Sequence, residues 1–99
     1  MFSKLKQYKD LRDQAKTMQH ALAEETVHAD GAGGKIQVIM DGNQQVNGLD
    51  IDPALIQPNK KDELERELRA TFNSAIKKSQ MAMAKKAKEM GQLNLPGVM

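Results

Sequence analysis

Fifteen lysines and arginines stand against thirteen aspartates and glutamates in these 99 residues, a net charge of only +2. The cations are nevertheless grouped. Placed at 100° per residue on a helix, Lys77, Lys78, Lys85 and Lys88 fall within an arc of about 100°. Lys9, Arg12 and Lys16 make a second stripe, about 60° wide. The chemistry open to such stripes is electrostatic: every duplex-DNA phosphate that a cation neutralises releases condensed counterions. A solvated helix face would read the same way, and it is the repetition on two segments that favours a polyanionic partner. No aromatic residue is interleaved with the late lysines, which argues against stacking on unpaired bases. Lysine-dominated contacts position a protein on the backbone and carry little sequence information.

Other residue types offer little chemistry. His20 and His28 are the only histidines, they are not four residues apart, and the chain has no cysteine, so no metal-ligand spacing is present. Asp50 and Asp52 alternate onto one strand face. Asp52 before Pro53 reads better as a cap, and Asp50 as an exposed strand residue, than as an acid–base pair. Ser3, Ser74 and Ser79 lack a base partner or a nucleophile elbow. Gly31-Ala32-Gly33-Gly34-Lys35 fails as a phosphate loop, because Lys35 is followed by Ile36 and a strand rather than by Ser or Thr and a helix. It reads as a connecting turn. No catalytic residue, cofactor, metal or small-molecule substrate is expected.

These stripes need long helices and something to hold them. Two segments have strand character, 35–41 and 45–51, with Asp41-Gly42-Asn43 between them as a tight antiparallel reversal. Residues 26–29 are a weaker strand. Ile36, Val38 and Met40 alternate onto one face, and Gly48 suggests a bulge. A first helix is expected over about 3–24, where Tyr8, Leu11, Ala15, Met18 and Leu22 form a seam about 80° wide for a partner helix or sheet. A second is expected over about 60–90, with Asn59 as N-cap and the pairs Asp62–Arg66 and Glu65–Arg69 along it. Its apolar stripe comprises Leu64, Leu68, Phe72, Ala75, Ile76, Ser79 and Met83. Residues 62–90 would span about 43 Å, more than a three-stranded sheet covers, so the last turns should project. Residues 91–99, with their Gly and Pro breakers, are expected to be a loose tail.

The chain is a single small α+β domain, residues 1–99, with a small antiparallel sheet flanked by two long helices. One Tyr, two Phe, no Trp and seven Met make a core that gains much from burial against a second copy, so a homodimer is expected. No apolar run reaches the roughly 20 residues of a bilayer span, and the first residues lack a secretory apolar region, which points to a soluble cytoplasmic protein with no membrane partner. Charge is segregated: residues 1–20 carry five basic and two acidic groups, residues 21–60 two and six, and residues 77–99 five and one. A second function class remains, a protein–protein adaptor whose exposed Met81, Met90 and Leu93 enter a partner's groove.

The run VIMDGNQQVNGLDIDPALI, residues 38–56, resembles the signature of the YbaB/EbfC family of nucleoid-associated proteins. Gly33-Gly34, Gly42, Val46, Leu49, Ile51-Asp52-Pro53 and Leu55-Ile56 fall in place, as does Phe72-Asn73-Ser74-Ala75 within the second helix. Leu95-Pro96-Gly97 also fits, and the resemblance covers essentially the whole chain. It implies an α-β-β-β-α protomer and a tweezer-like homodimer that binds double-stranded DNA, alters its conformation, associates with the nucleoid and influences gene expression. Lys9, Arg12, Lys16, Lys77, Lys78, Lys85 and Lys88 are assigned as phosphate contacts on stripe geometry, not by carry-over from the family.

Overall fold

The computed structural model of the chain describes residues 2–94. Helix α1 spans Phe2–Ala23, a run without Gly or Pro, and closes through Glu24 and Glu25, whose amides bond back to the Ala21 and Leu22 carbonyls. Three strands follow: β1 (Thr26–Gly31), β2 (Ile36–Asp41) and β3 (Val46–Ile51). They pair antiparallel in the order β1-β2-β3, and the alternating Ile36, Val38 and Met40 share the buried face of β2. Helix α2 runs from Lys61 to Asn94. The expected α-β-β-β-α order is the one observed.

Several boundaries differ, each for a local reason. β1 extends to Gly31, two residues beyond the expected end, because Asp30 and Gly31 keep pairing with Gln37 and Ile36. The hairpin between β2 and β3 takes its positive φ at Gln44 (63°), not at Gly42. Gly42 is needed for space: a Cβ there would stand 2.9 Å from Leu22 Cδ2 and from the Leu22 carbonyl oxygen. The bulge lies beside Gly48, where Ile39 pairs with Gly48 and Met40 with Val46, leaving Asn47 over. Asn59 is not the cap of α2; it lies inside a 3-10 turn, Pro58–Lys60, that feeds directly into the helix. The early ion pair in α2 joins Lys61 to Glu65 at 2.7 Å, in place of Asp62 to Arg66. α2 continues through Gly91 to Asn94, since one helical Gly costs only about 1 kcal/mol. The expected tail is thus helical over 91–94, and 95–99 lie outside the described residues.

The core lies between α2 and the β1–β2 half of the sheet. Ala29, Ile36, Val38 and Met40 meet Ala75 of the helix, and Leu55 plugs one end. Thr71, Ala75 and Ser79, spaced four apart, are fully buried and small, so the helix can lie close to β1. Larger Leu64, Leu68, Phe72 and Ile76 flank them, half-buried. Asp52 caps the short turn Pro53–Leu55 by accepting the Ala54 amide at 2.8 Å, as the Asp52-Pro53 pair implies.

Candidate nucleic-acid interface

Only part of each long helix is used by this core. α2, 34 residues and about 51 Å long, has its fully buried residues between Thr71 and Ser79, with Lys77, Lys78, Lys85 and Lys88 on its exposed side. On α1 every residue from Lys4 to Thr17 is exposed, so Lys9, Arg12 and Lys16 stand on a helix that leaves the body. The molecule measures 64 × 25 × 18 Å, elongated along these helices.

The seven cations differ in their surroundings. None makes an ion pair within 4.0 Å among the described residues. Lys78 is tethered, its Nζ donating to the His28 carbonyl at 2.7 Å on β1. Lys86, outside both stripes, shows the opposite behaviour: it bonds Glu25 at 3.1 Å and lies 3.8 Å from Glu89. The hydrogen bond to Glu25, then that carboxylate's charge, holds its ammonium above the ordinary lysine range. Three residues beyond Met83 and seven beyond Ser79, on the apolar side of the helix, Lys86 is therefore a strut between α2 and the α1–β1 turn.

Between α1 and α2 lies an open cleft of about 560 Å³, lined by Asp10, Asp13, Thr17 and Met18 on one side and Ala87, Met90 and Gly91 on the other. The acidic side of α1 thus faces α2, and its cationic stripe, roughly 120° further round, faces away. Much of the apolar seam of α1 has no partner within the protomer: Tyr8 and Leu11 are 72% and 61% exposed, and Ala15 is exposed, while Leu22 packs on Gly42. Met81 is exposed, Met90 is half-buried in the cleft, and the Leu93 side chain lies outside the described residues. Among the described residues no group of three His, Cys, Asp or Glu side chains could hold a metal ion, and no helix is long and apolar enough to cross a membrane.

The signature of the YbaB/EbfC DNA-binding family matches residues 1–94. The chain belongs to that family. A nucleoid-associated protein of Syntrophobacter fumaroxidans is 35% identical over 98 residues, covering 98% of this chain and 89% of the relative. Another, from Rhodopseudomonas palustris, is 36% identical over 93 residues, covering 93% and 88%. The crystal structure of an uncharacterized Helicobacter pylori protein has the same fold at 17% identity, with a TM-score of 0.67 over 84% of this chain and 96% of the other. The YbaB/EbfC family is a DNA-binding family and not an enzymatic one.

The bonds that hold the two helices of this chain to the β2–β3 turn were not legible from spacing in the sequence. Ser79 Oγ donates to the Asp41 carbonyl at 2.8 Å, and Asn43 Nδ2 to the Gln19 carbonyl at 2.9 Å. The signal for the first was present: a hydroxyl inside an apolar arc needs a buried partner.

Proposed function

We propose that this protein is a non-enzymatic, nucleoid-associated homodimer that binds double-stranded DNA mainly through its phosphates, alters DNA conformation and thereby influences gene expression. Lys9, Arg12 and Lys16 on α1 and Lys77, Lys78, Lys85 and Lys88 on α2 are the contacts. The observation that carries this reading is their placement: two cationic stripes on exposed faces of helices that run past the sheet, in a chain of a DNA-binding family.

The dimer reading is supported by the uncovered half of the sheet. α2 covers β1 and β2, and Lys78 occupies an outward carbonyl of the β1 edge. β3 has no such cover: Val46 and Leu49, on the same face as Met40 and Val38, are 47% and 49% exposed. An edge strand with apolar side chains and free backbone groups invites pairing with another chain, and a second copy would cover it.

Titrating labelled duplex at several salt concentrations tests the reading. Log K should fall linearly with log salt, and changing Lys77, Lys78, Lys85 and Lys88 together to Gln should flatten the slope by about 0.9 for each phosphate no longer neutralised. An unaltered slope removes those residues from the interface.

A further inference from the structure

We infer that Asn43, on the β2–β3 turn and itself outside the cationic stripes, is a positioning residue for DNA binding: it sets the angle at which α1 leaves the body. The inference rests on the DNA-binding reading above, since α1 matters to it through Lys9, Arg12 and Lys16.

From Lys4 to Thr17 no residue of α1 is buried or half-buried, and the cleft beside the helix is open. The direction of the arm is therefore decided at its last turns. There the Asn43 side-chain amide donates to the Gln19 carbonyl at 2.9 Å, and the Gly42 amide to the Leu22 carbonyl at 2.8 Å. Both bonds end at the negative pole of the helix, where donors are favoured. The turn itself is braced. Asp41 Oδ1 accepts the Asn43 and Gln45 amides at 2.8 and 3.1 Å, and the Asp41 carbonyl accepts the wholly buried Ser79 hydroxyl of α2 at 2.8 Å.

Ser79, Asp41, Asn43 and Gln19 thus form one bonded chain from α2 through the turn to α1. The two helices that bear the cations are tied to each other through the turn. The lever is long: Lys9 is ten residues from Gln19, about 15 Å. A 10° rotation at the joint moves Lys9 by about 2.6 Å, more than the roughly 1.7 Å of helix axis per duplex charge.

Asn43→Asp isolates the contact. It keeps the shape, the turn preference and the backbone bond to Asp41, yet removes the donor and sets a carboxylate against the carbonyl end of α1. Asn43→Ala is the uncharged control should the Asp variant not fold. Because the chain has no cysteine, spin labels at Gln7→Cys and Ala84→Cys, diluted with unlabelled protein, read the α1–α2 distance within a protomer. Both variants should broaden that distance distribution and lower duplex affinity about three- to tenfold, the equivalent of one hydrogen bond. The salt slope should stay as in wild type, because the phosphate contacts are the same once the arm is in place. Unchanged distances, unchanged affinity, or a weaker affinity with a flatter slope overturns the role. Wild-type protein that ignores duplex removes the DNA-binding reading as well, and Asn43's part in it.

Discussion

A methyl group on Gly31 would collide with the hydroxyl of Thr71, whose oxygen already donates to the Glu67 carbonyl at 2.7 Å. The end of β1 meets the middle of α2 with only the Thr71 side chain between them. Gly31→Ala should therefore lower stability by about 1–3 kcal/mol, the cost of overpacking a filled site. Thr71→Ala in the same chain should recover part of that stability, because it removes the colliding atom. Urea midpoints of the two single variants and the double variant, at constant m, measure the coupling; strict additivity would refute the clash.

Leu49 faces the uncovered side of β3, half-exposed within the protomer. Leu49→Glu should leave the protomer folded and abolish the proposed dimer, since a carboxylate would be buried only on association. Sedimentation at micromolar concentration with circular dichroism checks both halves of the statement. A dimer that survives the substitution places the interface elsewhere.

Lys77 and Lys78 are neighbours with unequal roles. Lys77→Gln should flatten the salt slope by about 0.9 and leave the unfolding midpoint alone. Lys78→Gln should also weaken the protein by about 0.5 kcal/mol, the low end for one hydrogen bond, because it frees the His28 carbonyl at an exposed edge. Equal midpoints for the two variants would contradict the tether.

Lys86 should report on pH at the alkaline end. Its ammonium is held above the ordinary lysine value, first by the hydrogen bond to Glu25 and then by that residue's charge. A folded-state value raised above the unfolded one stabilises at lower pH, and the gain disappears as pH rises through the folded value. The midpoint difference between wild type and Lys86→Gln should be level from about pH 6 to 9 and close above about 10.4. A difference that persists with Lys86 deprotonated would mean packing, not charge, is being measured.

What was legible in the sequence was what depends on neighbours along the chain. The period-two run Ile36, Val38, Met40 named a strand and its buried face, Asp52-Pro53 named a cap and a first helical position, and uninterrupted stretches on either side named two helices. The cationic stripes followed from helical spacing alone. Element ends were less legible, as Gly91 shows: its residue type suggests a stop, but a single Gly weakens a helix without ending it.

Sequence by itself determined the element order, the inward face of β2 and the clustering of lysines, because each is a property of local periodicity. Only tertiary structure decided that Lys78 would be tied to His28, Ser79 to Asp41 and Asn43 to Gln19. These partners lie 50, 38 and 24 residues apart. A donor finds an acceptor at such separation only after the sheet and helices have packed, so no spacing in the chain encodes the pairing, and with it the angle between the two cationic helices.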